Sequence, residues 1–257
     1  MEDRIKLLHG DCLELMKDIP DKSIDCIICD LPYQVTACKW DVMLPFDKLW
    51  EHYERIIKDN GAIILFGREP FTSMMIMSNL KLFRQKLTWL KTRPTNVMNA
   101  KKQFMNWTED IVIFYKKLPV FNPQMRTDGK FTSAKIQRNN TDRSKGVFGK
   151  TGEKKDYVHE SNGGFFYPKS VLEFSNVNQH KNIHPTQKPV ELIEYLIKTY
   201  TNEDDLILDN TAGSMTTAIA SINTNRRSIC IEKDDNYFNL GKERVENHLD
   251  NFNKING

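Results

Sequence analysis

The chain lacks any apolar span of roughly 18 residues and any cationic leader followed by an apolar stretch, so membrane insertion and secretion both go without support. The expected location is therefore the cytoplasm. Cysteine is scarce and odd in number: Cys12, Cys26, Cys29, Cys38 and Cys230 make five without framework spacing, which suits reduced thiols in a reducing compartment. Cys26 and Cys29 are spaced like half a zinc site, yet residues three apart on a strand point to opposite faces and their sulfurs do not converge, so no metal is expected. There is no internal repeat and no low-complexity tract. The formal net charge of +3 is too small to identify a nucleic-acid binder by itself.

What is present is alternation. At 257 residues the chain can bury a large core as one α/β domain with a small insertion. Ile5–His9 reads as a strand, and Gly10-Asp11 turns into a helix carrying Leu13, Leu15, Met16 and Ile19 before Pro20. The apolar run from Ile24 to Cys29 is a buried strand. Apolar residues at 46, 49, 50, 53, 56 and 57 predict a helix that Asn60-Gly61 stops ahead of a strand over 62–66. This is the βαβ rhythm of a parallel sheet. A helix over 71–80 and strands at 86–90 and 111–115 follow. From Leu118 to Asn182 regularity gives way to a loop-rich insertion. Order then resumes with a helix over 190–200 opened by Pro189, a strand at 206–208, a helix over 214–223, a strand at 228–231 and a last helix over 236–249.

Two strands end in an acid. The first delivers Asp30-Leu31-Pro32-Tyr33, a carboxylate, a carbonyl stiffened by the following proline, and an aromatic ring. The second delivers Asp209-Asn210-Thr211-Ala212-Gly213-Ser214, an acid and a small-residue turn before a helix, which is how a doubly wound sheet holds a nucleotide. Glu232 follows Asp209 by 23 residues and closes the next strand, where a carboxylate can accept both ribose hydroxyls. Gly213 is the turn's only glycine, so no pyrophosphate cradle can be built from it, and a cofactor with ribose but no phosphate fits better. The same absence disfavours a nicotinamide oxidoreductase.

These segments together resemble the S-adenosylmethionine-dependent amino-methyltransferases. His184-Pro185-Thr186-Gln187-Lys188-Pro189 ahead of a helix is similar to that family's segment cradling the methionine end of the cofactor. The family's first turn usually reads Asp-Pro-Phe-x-Gly-Ser-Gly; here Asn210, Thr211 and Met215 replace proline, phenylalanine and the last glycine. The catalytic motif precedes the cofactor strand with the insertion between them, an order that resembles the β group of DNA adenine-N6 or cytosine-N4 methyltransferases. The likeness runs along the chain except for about 118–165. It implies a doubly wound, mostly parallel seven-stranded sheet, Rossmann-like and circularly permuted. Residues 1–117 and 183–257 would form the catalytic and cofactor-binding domain, and 118–182 a target-recognition insertion. The implied catalytic residues are Asp30, Leu31, Pro32 and Tyr33. The implied cofactor residues are Asp11, Cys12, Asp30, His184, Thr186, Gln187, Lys188, Pro189, Asp209, Asn210, Thr211, Ala212, Gly213, Ser214, Glu232 and Lys233.

The chemistry explains the motif. An exocyclic base amine is a poor nucleophile because its lone pair is delocalised into the ring. Asp30 can accept one amino hydrogen and the Leu31 carbonyl the other, giving the nitrogen sp³ character, while Tyr33 stacks on the extruded base. Leucine at 31 contributes the same backbone carbonyl as the family's usual proline, and aspartate rather than serine at 30 leans toward adenine. No Pro-Cys pair is present, which argues against methylation of a cytosine ring carbon. Between 84 and 102 there are basic residues at 84, 86, 91, 93, 101 and 102 and no acids, and eleven more between Lys116 and Lys155 stand against only Asp128, Asp142 and Glu153. Such a surface attracts phosphate. Phe131, Phe148, Tyr157, Phe165, Phe166 and Tyr167 interleave with it and can stack on bases, and 34–45 can form a flap over the flipped base. The expected partner is double-stranded DNA, with a cognate restriction endonuclease and a second copy of the chain as further candidates; RNA is the weaker substrate. The alternatives on the same fold are a cytosine-N4 methyltransferase and a nucleic-acid binder without turnover, the latter motivated by the altered turn.

Overall fold

The structure, a computed structural model, describes residues 4–32, 43–127, 165–176 and 187–256. The first half runs β1 (Ile5–His9), α1 (Cys12–Leu15), β2 (Ile24–Cys29), α2 (Phe46–Ile56), β3 (Ile57–Gly67), α3 (Phe71–Ser78), β4 (Phe83–Thr95) and β5 (Asn106–Phe114). Then come β6 (Val171–Phe174), α4 (Val190–Tyr200), β7 (Leu206–Asp209), α5 (Thr216–Asn223), β8 (Arg227–Glu232) and α6 (Asp235–Asn256). The eight strands form one sheet in the order β1-β8-β7-β2-β3-β5-β4-β6. Only β5 runs against its neighbours β3 and β4; the other pairs are parallel.

Strands this apolar form a central sheet because both faces are covered. Ile27 and Cys29 of β2 pack with Met16, Leu49, Tyr53 and Phe71, so α1, α2 and α3 cover one face. Cys26 and Ile28 pack on the other face with Ala62, Ile64 and the α4 residues Leu192, Ile193, Leu196 and Ile197. The two cysteines thus face opposite layers. On that second face α5 and α6 meet through Ala218, Ile219, Ile222 and Val245 over Cys230.

Strand order reverses between β7 and β2, which pair directly through Cys26↔Ile207 and Ile27↔Leu208. Because β2, β7 and β8 are parallel, the residues after them emerge on a single rim. Open α/β sheets bind their ligands at such a reversal.

The sheet differs from the expected seven strands by one. Val171–Phe174 adds β6 parallel to β4, with Leu172 against Trp89 and the Trp89 indole Nε1 donating to the Phe174 carbonyl at 3.0 Å. The predicted stop at Asn60-Gly61 is absent: β3 begins directly at Ile57 and runs through both residues. The register with β2 shifts there, Ile24 facing Ile57 but Cys26 facing Ala62, so the extra residues bulge from β3 with Asn60-Gly61 among them, and a side chain at Gly61 would meet the Asp25 carbonyl at 2.8 Å. The last helix also extends beyond its predicted end.

The chain divides into two compact units, Met1–Asn122 with Lys169–Gly257, and Pro123–Pro168. In the smaller unit Arg126 and Phe166 exchange backbone hydrogen bonds of 2.8 Å, with the Arg126 guanidinium 5.7 Å from the Phe166 ring centre. Phe131, Phe148, Tyr157 and Cys38 lie outside the described residues, as do positions 34–42 of the expected flap. Among the described residues, no helix is long and apolar enough to cross a membrane.

Candidate active site

A cavity of about 630 Å³ opens in the larger unit on the rim where β2, β7 and β8 end. Its wall contains Asp30, Leu31 and Pro32 after β2, the whole turn from Asp209 to Ser214 after β7, and Glu232 and Lys233 at the end of β8. Gly10, Asp11 and Cys12 line it from the end of β1, and Gln187 and Lys188 from the approach to α4. The two acid-ended segments of the sequence therefore share one cavity. Of the remaining expected residues, Pro189 is buried as the N-cap of α4 and is not among those lining the cavity. Tyr33, His184 and Thr186 lie outside the described residues.

The turn after β7 is built from backbone amides. Asp209 accepts from the Thr211 amide at 3.1 Å and from the Thr217 hydroxyl at 2.6 Å. Burial pushes its carboxyl up to about 7, against the pull of those donors. Glu232 accepts from the Gly213 amide at 2.7 Å through one oxygen and from the Asp234 amide at 2.8 Å through the other. Each carboxylate oxygen has a second lone pair, so these bonds leave Glu232 acceptors for a hydroxyl pair. Asp11 caps α1 by accepting from the Leu13 amide at 2.9 Å and pairs with Lys233 at 2.9 Å. The Lys233 hydrogen bond holds Asp11 below the usual carboxylate value.

The three departures from the familiar turn each have a structural account. Asn210 is 2 % exposed, and its side-chain oxygen accepts from the Tyr53 hydroxyl at 2.5 Å and the Cys29 thiol at 2.8 Å, so a polar residue is accommodated by paired groups. The Thr211 hydroxyl donates to the Asp30 carbonyl at 3.1 Å, tying this turn to the segment after β2. Met215 occupies a left-handed conformation at φ 57°, where glycine carries no penalty, and its side chain is fully buried. Room for it comes from α6, where a Cβ on Gly241 would fall 2.5 Å from Met215 Cγ.

The corner around Asp30 is built from charges. Asp30 Oδ2 accepts from Lys188 Nζ, while its Oδ1 is buried and has no hydrogen-bond partner among the described residues. Lys188 Nζ also lies 3.4 Å from Glu109 Oε2 on β5 and 5.3 Å from the Phe66 ring centre, and the other Glu109 oxygen accepts from Lys91 of β4. Burial, reinforced by Glu109, pushes the Asp30 carboxyl up, and Lys188 pulls it back. For Glu109 burial acts upward as well, but Lys188 and Lys91 together outweigh it and hold it down.

Glu109 and the inward role of Lys91 were missed in the sequence, although strand alternation carries the signal. Leu87, Trp89 and Lys91 share the buried face of β4, and Trp89 pairs with Glu109 in register. Lys91 is 4 % exposed at its side chain and Lys86 pairs with Asp110 at 2.9 Å. The basic run at 84–102, which holds no acid of its own, is thus partly neutralised by Glu109 and Asp110 of β5.

Against known proteins, the family model described as DNA methylase, of the N6/N4 class, matches residues 24–243. The chain is 28 % identical over 255 residues to the DNA adenine methyltransferase YhdJ of Escherichia coli, covering 93 % of this chain and 82 % of that protein. It is 27 % identical over 267 residues to the Type II methyltransferase M.HpaI of Haemophilus parainfluenzae, covering 97 % and 77 %. Among solved structures, the M1.HpyAVI–SAM complex superposes with a TM-score of 0.64 at 24 % identity, covering 94 % of this chain and 98 % of that one. PvuII DNA methyltransferase, cytosine-N4-specific, gives a TM-score of 0.65 at 17 % identity, covering 98 % and 92 %. With the Asp30 segment ahead of the Asp209–Ser214 turn on a methyltransferase sheet, the chain belongs to the β group of the N6-adenine/N4-cytosine DNA methylase family.

Proposed function

We propose that this protein methylates the exocyclic N6 amine of adenine within a specific sequence of double-stranded DNA, using S-adenosylmethionine and forming no covalent enzyme intermediate. The observation that carries the reading is that Asp30 lines the cavity that also holds the Asp209–Ser214 turn and Glu232, and that its buried Oδ1 has no hydrogen-bond partner among the described residues. A volume of about 630 Å³ lies within the range of small-molecule sites. The residues present fit a nucleoside cofactor: Glu232 offers acceptors for ribose hydroxyls, the small turn lets a ligand approach backbone, and Asp11 with Cys12 borders the adenine side. When bound, S-adenosylmethionine supplies an electrophilic methyl carbon.

The protein's own part is to prepare the amine. Asp30 Oδ1 accepts one amino hydrogen and the Leu31 carbonyl the other, drawing the nitrogen lone pair out of conjugation. The same Oδ1 is the acceptor for the proton that the amine gives up. Pro32 stiffens the carbonyl that precedes it, and Tyr33 is assigned the stacking role on the flipped base.

Incubation with labelled cofactor and genomic DNA, followed by digestion to nucleosides, tests the reading. Label in N6-methyladenine is expected; label in N4-methylcytosine would replace the adenine assignment, and binding without label in any base would leave only the nucleic-acid-binder alternative. The altered turn that motivates that alternative is hydrogen-bonded and packed throughout, which favours turnover. The insertion at 118–182 is the proposed target-recognition segment, acting on cytoplasmic DNA. A cognate endonuclease and self-association complete the proposal, and sedimentation of the protein with and without DNA tests the second.

A further inference from the structure

We propose that Glu109 and Lys91 are positioning residues for methyl transfer: with Lys188 they form a buried chain of alternating charge that fixes the Lys188 ammonium against Asp30 Oδ2, balances the charge around Asp30 and leaves its Oδ1 for the target amine. The inference rests on the proposed role of Asp30 and adds two residues from strands that carry no recognised motif.

The chain spans four segments. Asp30 follows β2, Lys188 precedes α4, Glu109 lies on β5 and Lys91 on β4, with side-chain exposures of 18, 8, 15 and 4 %. Contacts run in sequence: Asp30 Oδ2 to Lys188, Lys188 to Glu109 Oε2 at 3.4 Å, and Glu109 Oε1 to Lys91. Two acids and two bases cancel, so the group tolerates burial only while it is complete. Lys188 alone would serve as a counter-ion for Asp30. A second acid that shares Lys188, and a second base that holds that acid, do something different: they fix the ammonium from its far side and set its pull. The aromatic faces of Phe66 and Trp89, each 5.3 Å from an ammonium, add cation–π contacts to both lysines. One oxygen of Asp30 is thereby committed and the other is not, which is the geometry an amine acceptor needs.

Asp30 faces Lys188, Glu109, Lys91 and, from β7, Asp209. Changing the two remote members must therefore move its ionisation in opposite directions. Glu109→Gln leaves an excess positive charge, and the acid limb of the single-turnover rate shifts to lower pH. Lys91→Met leaves an excess negative charge and draws Lys188 toward Glu109, and the limb shifts to higher pH. Each displacement is expected to be about one pH unit. The double variant, which loses one charge of each sign, returns close to the parent limb, and Lys91→Arg retains it.

The experiment measures labelled-methyl transfer in single turnover from pH 5 to 9, at saturating S-adenosylmethionine and DNA. An infrared titration of the cofactor-free protein accompanies it, following the protonated-carboxyl band that Asp30→Asn removes. Opposite shifts in both readouts support the chain. Unchanged limbs, shifts of the same sign, or Lys91→Arg behaving like Lys91→Met would overturn it. The two single variants report separately, so failure of one to fold leaves the other decisive. Should the parent protein methylate no DNA, the proposed activity fails, while the infrared titration still tests the chain by itself.

Discussion

The Asp209–Ser214 turn and the Asp30 corner meet on one rim yet are held by different forces. Around Asp209 and Glu232 the anchors are backbone amides and a hydroxyl, which any residue of suitable size can frame. Around Asp30 the anchors are the charges of Lys188, Glu109 and Lys91, which no neutral residue can supply. The difference explains why this chain carries Asn210, Thr211 and Met215 in the turn without losing it, and it implies that the corner admits far less substitution. Removing one partner of a buried ion pair leaves an uncompensated charge, typically costing about 3–5 kcal/mol.

The most severe way to break the contrast is Asp30→Ala. Transfer should fall by roughly 10³-fold or more, in the range that positioned acid–base groups contribute, while cofactor affinity persists because the amide-held turn is untouched. A fully active Asp30→Ala protein would remove the carboxylate from the mechanism. Glu232→Ala attacks the other side. It deletes the acceptor for the Gly213 and Asp234 amides together with the proposed ribose contacts, and the cofactor Kd should rise by about 10- to 100-fold, equivalent to roughly 1.5–3 kcal/mol for hydrogen bonds to a charged group. Calorimetry showing an unchanged Kd would take Glu232 out of the ribose site.

Much of this rim could be read from the sequence because its signals are local. An apolar run that ends in Asp30, and another that ends in Asp209, need only a parallel sheet to bring them together, and β2 and β7 are neighbours. The charge chain was harder to see because its meaning lies in pairing between strands. Lys91 reads as surface until β4 is placed against β5, where its inward position and Glu109 become a single fact. Likewise Val171–Phe174 is too short, and carries too much charge at Glu173, to announce a strand; the open edge of β4 and the Trp89 indole make it one. Asn60-Gly61 misled for the opposite reason, since a strong local turn preference is absorbed as a bulge within β3.

Asp209→Asn sharpens the comparison through pH. Burial raises this carboxyl from 3.8 to about 7 in the folded protein, so the stability contributed by its protonated form is complete below about pH 4 and is lost as pH rises through 7. Asparagine cannot ionise and escapes that loss. The Tm of the variant relative to the parent should therefore improve between pH 5 and pH 8 by a few degrees. A gap that stays constant across this range would mean that Asp209 ionises freely in the folded state.

The smallest effect tests how the turn absorbed its last substitution. Met215 in a left-handed conformation costs about 1–2 kcal/mol relative to glycine, and its buried side chain packs in the space that Gly241 leaves on α6. Gly241→Ala would place a methyl 2.5 Å from Met215 Cγ and 3.2 Å from the Gly213 carbonyl, so stability should drop by about 1–3 kcal/mol through overpacking. Met215→Gly relieves the strain but empties a packed site, and it too should destabilise. In the double variant the new methyl occupies part of the vacated volume, so the combined loss should be smaller than the sum of the two by about 1 kcal/mol, within the range of coupled neighbours. Denaturant unfolding of the four proteins measures that coupling. Strict additivity would show that Met215 and Gly241 do not share the space, and that the turn tolerates methionine for some reason other than room made by α6.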